Sequence, residues 1–403
     1  MVTHRIERWK SSNPNLENEH DMSRALIVGG SNGIGMALAV RLLEHRYEKI
    51  YIVDKEAPDP VLQQDGRIEY VHFNLLGKDY SVFERFDDVD TLIITAGFGR
   101  VCPFGELTEA EVVNGFTVNA LAGIRIVRCF YDRIIAQPKF YCAVIGSIAG
   151  HLSSPLFSVY GASKSALCRF VENVNIELEQ QGSANRILDI SPGSIGGTRF
   201  NGGANDLGQT VRLADEILCH MFGRETLFIP QYDEVYQGVL QRYQEDPHRF
   251  GVESYDYKYK SGRMSGRSQV KTGYLSGTFD LFHIGHLNLL RRARQYCDYL
   301  VVGVHRNASH KRKDTFIPFE ERVEIVRSIS YVDRVIESLP EDSDVYKTGI
   351  VRYDYLFVGS DYKGTERFEA YERYFADKGV KIVYFPYTEG TSSTQLRGAI
   401  TKL

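Results

Sequence analysis

The chain has 403 residues and a formal net charge of −4, with 43% hydrophobic and 25% charged residues. That length exceeds what one hydrophobic core usually organises, so two domains are expected; the near-neutral balance excludes a globally basic, nucleic-acid-coating surface, and the local run "HKRK" at 310–313 reads either as a solvated loop or as an anion contact. No stretch approaches the roughly 18 apolar residues of a membrane helix, and the first residues lack a signal-peptide core, so a cytoplasmic protein with no membrane partner is expected.

Residues 1–21 form a polar extension of mixed charge. From Ala25 short β-branched runs alternate with helical stretches: "ALIVGG", "KIYIVD", "IEYVHF", "DTLIITAG", "CAVIGS" and "RILDISPG". This rhythm predicts βαβ units and a doubly wound parallel sheet of Rossmann type over 22–255. The first strand leads through "GGSNGIG" into a helix, and Gly29, Gly33 and Gly35 let the backbone turn sharply and approach an anionic pyrophosphate. Without a ligand the same turn is simply a tight strand-to-helix connection. Asp54 ends the second strand, where a carboxylate can accept from ribose hydroxyls and repel a 2′-phosphate, favouring NAD(H) over NADP(H); a plain surface aspartate is the alternative. Tyr160 and Lys164 in "YGASK" share a helix face, and Ser147 closes the strand "CAVIGS". After "SPGSIGGTRF" (191–200) no final strand is legible.

In this order and spacing the glycine turn, "ITAG" (94–97), "VNALAG" (118–123), Ser147, "YGASK" and "SPG" (191–193) resemble the short-chain dehydrogenase/reductase family. The resemblance implies Tyr160 as general acid/base, Lys164 lowering its pKa and binding the nicotinamide ribose, Ser147 positioning the substrate carbonyl, and Asn119 holding a water in a proton relay. It implies cofactor contacts at Gly29, Ser31, Asn32, Gly33, Ile34, Gly35, Asp54, Asn74, Ala96, Gly97, Tyr160, Lys164, Pro192 and Gly193. An ammonium one turn from a phenol with an ordinary pKa of about 10 is also the neighbour that would favour phenolate. The family's asparagine amides are replaced at Ile94 and Thr95, and its strand-three aspartate at Asn74.

Residues 256–271, rich in Tyr, Lys, Arg, Ser and Gly, read as a linker. A second alternation over 272–403 ("TGYLSGTFD", "DYLVVGVH", "YVDRVIES", "YDYLFVGS", "GVKIVYFP") predicts a smaller, Rossmann-like α/β domain. In "GTFDLFHIGHLNLLRRAR" (277–294) His283 and His286 stand three apart on the first turn of a helix, aimed with its backbone N–H groups at whatever sits there. Such a pair can clamp charge developing on an α-phosphate; a zinc site and a structural role are the alternatives. Asp280 could hold Mg²⁺ on a triphosphate or cap the helix.

This half resembles the cytidylyltransferase branch of the HxGH nucleotidyltransferases. The resemblance implies CTP as substrate with nucleotide contacts at Gly277, Thr278, Phe279, His283, His286, Lys311, Lys313, Arg322, Gly359, Asp361, Thr391, Ser392, Ser393 and Thr394. In the family the basic loop and the arginine touch phosphates; the arginine that opens the triphosphate segment is here Tyr387. "SSTQLR" and "GSDYKG" also resemble adenylyltransferases of the superfamily, so an ADP product stays open. Together the halves imply reduction of a sugar phosphate, with ribulose 5-phosphate the leading instance, to a polyol phosphate and its conversion to a CDP-polyol for capsule or cell-surface polymers. The other reading is a cytidylyltransferase with a non-catalytic dinucleotide-binding domain. Relatives of both halves form dimers or larger oligomers, so a homo-oligomer is expected.

The six cysteines (Cys102, Cys129, Cys142, Cys168, Cys219, Cys297) are scattered without a CxxC pair or a histidine at zinc spacing. They are expected to be buried, reduced thiols.

Overall fold

The computed structural model describes residues 23–136, 139–201, 205–262, 264, 268, 270–307, 315–386 and 396. The chain divides into two compact units at Arg267/Ser268.

In the first unit, strands β1 (Arg24–Val28), β2 (Lys49–Asp54), β3 (Ile68–His72), β4 (Thr91–Ile94), β5 (Tyr141–Ile145), β6 (Ile187–Ile190) and β7 (Leu227–Phe228) form one parallel sheet in the order β3-β2-β1-β4-β5-β6-β7. Residues along each strand alternate between two apolar layers. Leu26, Val28, Leu92, Ile94 and Val144 pack on one face with α3 (Ala122–Ala136) and α4 (Ser158–Gln180). Ala25, Ile27, Ile93, Leu188 and Ile190 pack on the other with α1 (Gly33–Glu44) and α5 (Leu207–Phe222). Each such valine, leucine or isoleucine side chain, removed from water on folding, contributes roughly 1.5–3 kcal/mol, which is why both faces read as continuous apolar runs. Strand order reverses between β1 and β4, opening a crevice at their carboxyl ends.

The final strand is present after all: β7 pairs with β6 in the register Asp189↔Leu227 and Ile190↔Phe228. Two residues are too few for an alternation to show in sequence. Helix α2 (Glu109–Phe116), with its Thr108–Glu111 capping box, runs through a π-helical turn at Thr117–Leu121 into α3. Past β7 the chain forms α6 (Gln237–Glu245) and α7 (Pro247–Lys260), so residues 256–260, expected in a linker, instead end a helix. The Asp246 carboxylate caps α7 by accepting from the Arg249 N–H, and Pro247 supplies the first-turn residue that needs no N–H.

The second unit is a five-stranded parallel sheet, β10-β9-β8-β11-β12, built from β8 (Thr272–Gly277), β9 (Tyr299–Val304), β10 (Arg334–Glu337), β11 (Tyr355–Gly359) and β12 (Lys381–Phe385). Leu275 faces α8 (Ile284–Arg294) and α9 (Phe319–Arg327) in one layer with Leu290, Ala293 and Val326. Tyr274 points to the opposite face, stacked on Tyr353 beside α10 (Asp342–Lys347) and α11 (Glu366–Phe375). Here the order reverses at β8, between β9 and β11. No helix among the described residues is long and apolar enough to cross a membrane.

Candidate active sites

In the first unit the crevice between β1 and β4 carries the glycine turn. A Cβ at Gly29 would lie 2.6 Å from the Ala96 nitrogen, and one at Gly35 would lie 2.3 Å from the Gly29 oxygen. Both glycines are therefore demanded by the approach of α1 to its own strand and to β4. The N-cap Asn32 makes no side-chain cap. The Gly33 N–H instead donates to Asn205 Oδ1 at 3.1 Å, while Asn205 Nδ2 donates to Asn32 Oδ1 at 2.8 Å. Ser31 is buried and donates its hydroxyl to the Glu56 carbonyl. Ile34 packs at the edge of the α1 layer.

The Asp54 carboxylate accepts from the N–H groups of Ser31 (3.1 Å) and Glu56 (3.2 Å), which orient it at the end of β2. Asn74 is used locally, its Oδ1 accepting from the Leu76 N–H in an Asx turn. The glycine turn at the helix end and the oriented carboxylate fit a dinucleotide.

Tyr160 and Lys164 lie on one face of α4, 9% and 1% exposed. Ser147 is buried with its hydroxyl accepting from the Ala149 N–H, and its side chain favours the charged form of the Tyr160 phenol, which stacks on Phe157 at 4.1 Å and meets Phe200 at 5.3 Å. Lys164 Nζ donates to the Ile145 carbonyl at 2.6 Å and stands 5.8 Å from the Tyr160 ring centroid. A Cβ at Gly97 would come within 3.2 Å of both Lys164 Nζ and Asn119 Oδ1, so a side chain there would crowd the lysine and the asparagine.

Asn119 sits in the π-helical turn, a device that loosens the helical ladder and recurs at functional sites. Its side chain accepts from the Phe98 N–H and donates to the Phe98 carbonyl and Ser163 Oγ. Pro192 O accepts from the Ile148 N–H, and Gly193 lies against the Tyr236 hydroxyl.

Burial pushes the Tyr160 phenol up to about 12, opposed by the Ser147 side chain. Burial likewise brings Lys164 down to about 8, opposed by Cys168 and Asp189. Desolvation disfavours both charges, so Tyr160 keeps its proton at neutral pH.

In the second unit Gly277 and Gly359 end the adjacent strands β8 and β11. The turn after β8 carries positive φ at Phe279 (53°) and Leu281 (51°), a backbone state that bulky side chains tolerate only when the surroundings impose it. His283 is the N-cap of α8, its Nδ1 accepting from the Gly285 N–H at 3.0 Å, while His286 Nδ1 accepts from the His283 N–H at 3.4 Å. The rings pack 4.0 Å apart. With both Nδ1 atoms accepting, the protons sit on Nε2, and burial lowers the His283 pKa, keeping that imidazole neutral. Thr278 Oγ1 at the strand end is buried with no hydrogen-bond partner, and Asp361 is exposed in the turn after Gly359. An orphaned hydroxyl beside a helix N-terminus fits a phosphate-bearing ligand.

Two expected contacts differ. Arg322 is fully buried, donating to the carbonyls of Thr278, His305 (2.8 Å), Arg306 (2.8 Å) and Ile317 (2.9 Å). Its planar fork ties loops together beneath the site. Asp280 is also buried and accepts from the N–H groups of Phe316 and Ile317, so its carboxylate organises backbone at 316–317 rather than capping α8. Lys311, Lys313 and Thr391, Ser392, Ser393 and Thr394 lie outside the described residues. Asn205, Phe157, Phe200 and Tyr236 carry no motif signal in the sequence; Phe157 alone, three residues before Tyr160, was reachable from helical spacing.

The short chain dehydrogenase family model matches residues 23–206, and the cytidylyltransferase-like model matches 274–399. The chain is 37% identical over 132 residues to the glycerol-3-phosphate cytidylyltransferase of Bacillus subtilis, covering 32% of this chain and 95% of that protein. It is 30% identical over 194 residues to dehydrogenase RED2 of Cochliobolus heterostrophus, 45% of this chain and 73% of the relative. It is 34% identical over 142 residues to bifunctional protein HldE of Streptomyces coelicolor, 34% of this chain and only 30% of that protein.

Proposed function

Because the chain belongs to the short chain dehydrogenase family in its first unit and to the cytidylyltransferase-like family in its second, we propose that it performs two consecutive steps on one metabolite. The first is reduction of the carbonyl of a sugar phosphate to a polyol phosphate. The second is cytidylyl transfer from CTP to that phosphate, giving a CDP-polyol. Ribulose 5-phosphate, leading to CDP-ribitol, is the first substrate to test, and the product would feed capsule or cell-surface polymer synthesis in the cytoplasm, from a dimer or tetramer.

The observation that carries this reading is the presence on one chain of buried Ser147 and Tyr160 with Lys164 one turn below, and of a histidine pair at the N-terminus of α8. NAD(P)H, when bound, supplies the hydride. Ser147 Oγ donates to the substrate carbonyl oxygen, and Tyr160, protonated at neutral pH, gives its proton to the same oxygen as it becomes an alkoxide. The Lys164 ammonium favours the resulting phenolate, while Asn119 keeps the Phe98 loop over the lysine. Asp54 supports NADH as the preferred donor, because its oriented oxygens suit ribose hydroxyls and oppose a 2′-phosphate.

In the second unit an oxygen of the polyol phosphate attacks the α-phosphorus of CTP, the α–β phosphoanhydride breaks, and pyrophosphate leaves. The Nε2–H groups of His283 and His286 donate to the charge that accumulates on the α-phosphate, at the positive end of the α8 dipole. Mg²⁺ enters with CTP, as the counter-ion of the triphosphate substrate.

The test is consumption of NADH and NADPH with a panel of ketose and aldose phosphates, with and without CTP·Mg²⁺ and, in parallel, ATP·Mg²⁺, the product followed by mass. Consumption with one sugar phosphate followed by a CDP-polyol mass is expected. Pyrophosphate release from CTP and a ready-made polyol phosphate, with no nicotinamide oxidation on any substrate, would sink the reductase half; an ADP product would replace CTP.

A further inference from the structure

Behind the catalytic serine, on the inner side of the Ser147–His151 turn, four side chains from separate segments converge. His151 follows β5, Cys168 lies in α4, Asp189 is on β6 and Ser191 just beyond it. His151 Nε2 stands 2.9 Å from Ser191 Oγ and 3.8 Å from an Asp189 oxygen; Ser191 Oγ stands 2.9 Å from the other Asp189 oxygen and 3.6 Å from Cys168 Sγ. The histidine, thiol and carboxylate atoms lie within 4.8 Å of one another. Cys168, Asp189 and Ser191 are 6%, 4% and 0% exposed, and the His151 side chain is 25% exposed, leaving one side open for entry.

The convergence is registered by the backbone. A Cβ at Gly146 would sit 2.2 Å from Asp189 Oδ1, 2.7 Å from Ser191 Oγ and 2.9 Å from Cys168 Sγ, and one at Gly150 would sit 3.0 Å from Cys168 Sγ. Two glycines thus make room for heteroatoms where a side chain would otherwise lie.

We propose that His151, Cys168, Asp189 and Ser191 form a structural site for Zn²⁺ or a similar borderline divalent cation. A tetrahedral zinc with bonds of about 2.0–2.3 Å holds its ligands about 3.3–3.8 Å apart. The edges from Ser191 Oγ to His151 Nε2, Asp189 Oδ1 and Cys168 Sγ run from 2.9 to 3.6 Å and those among the histidine, thiol and carboxylate atoms reach no further than 4.8 Å, so closure needs side-chain shifts of up to about 1 Å. The donor set of imidazole, thiolate and carboxylate suits zinc rather than Mg²⁺ or Ca²⁺.

Charge balances as well. Binding expels the thiol proton to solvent, and one thiolate plus one carboxylate neutralise the dication within the cluster, while the nearby Lys164 gives up the Asp189 charge that favoured its ammonium form. Without metal, burial holds the Cys168 thiol up at about 12, which makes it inert as a nucleophile. With four protein ligands the site has no open position, so its role is to pin the Ser147 turn, α4 and the approach to Pro192 and Gly193 as one unit. Nothing in the two-step reading requires it.

The test uses the full chain, stripped with chelator and titrated with Co²⁺, read by the thiolate-to-cobalt charge-transfer absorption. One saturating equivalent per chain, displaced by Zn²⁺, is expected. The absorption should vanish in Cys168→Ser, survive in Cys129→Ser, whose thiol is exposed, and require at least tenfold more Co²⁺ in His151→Gln. Near-UV circular dichroism checks that each variant folds; if Cys168→Ser does not, the His151→Gln shift decides. No saturating band in the wild type, or a band unchanged in either cluster variant, overturns the site and leaves a metal-free hydrogen-bonded cluster.

Discussion

In the first unit the candidate reacting groups lie inside the fold: Tyr160, Lys164 and Ser147 are all at most 9% exposed, carried by a 23-residue helix and the strand beside it. In the second unit the imidazoles stand at the first turn of an 11-residue helix, after a turn with two bulky residues at positive φ. Both sites occupy the point where a parallel sheet reverses its strand order, yet one is organised by desolvation and the other by helix-end donors. Hydride transfer to a carbonyl needs one proton held and released at the right moment, which burial tunes. Phosphoryl chemistry needs donors fixed around a charge that is already present, which a helix N-terminus supplies.

The sharpest way to break this contrast is reciprocal inactivation. Tyr160→Phe should lower reductase kcat/KM by about 10³ or more while leaving pyrophosphate release from CTP unchanged, and His286→Ala should lower cytidylyl transfer by about 10²–10³ with reduction untouched. Loss of both activities in either variant would mean that the units do not act as separate sites. Next in size is Arg322→Met. Removing a buried guanidinium from four backbone carbonyls should cost the second unit about 3–5 kcal/mol, read by urea-dependent hydrogen exchange of its peptides, with exchange in the first unit unchanged.

The pH profiles should diverge. With Lys164 at about 8, its charge is lost as pH rises through that value, so reductase kcat/KM should fall on the alkaline side with an apparent pKa near 8. Between about 8 and the ordinary lysine value of 10.5 the unfolded chain binds the proton that the folded one has released. This group therefore adds stability as pH rises across that window, by up to about 3 kcal/mol, until Tyr160 opposes it above pH 10. Lys164→Met should abolish both the limb and the stability slope. The cytidylyl rate should instead persist below the ordinary histidine pKa of 6.5, because His283 is held neutral there. The smallest effect is expected from Asn205→Ala, which frees the Gly33 N–H and should tighten NADH binding about fivefold by titration.

Most strands were legible because a buried parallel strand is a continuous apolar run, as in "KIYIVD" and "DYLVVGVH". β7 was not, having two residues, and the end of α7 was hidden by tyrosines and charges on a largely exposed helix. Tyr160, Lys164, His283 and His286 could be found because their relation is one helical turn long. Arg322 misled for the opposite reason: its motif is local, but its partners at Thr278, His305 and Arg306 come from other loops. The cysteines repeat the lesson, since Cys129 is exposed and Cys168 has polar neighbours that no spacing predicts.

By itself the sequence determined two parallel-sheet α/β units, their glycine turns and the helix-borne pairs proposed as reacting groups, since each is set by backbone periodicity over a few residues. Only the tertiary structure decided which way the phenol and ammonium are shifted, which arginine is enclosed, and that His151, Cys168 and Asp189 meet. Desolvation and long-range contact depend on what the other segments bring to the same few ångströms, and no local pattern encodes that.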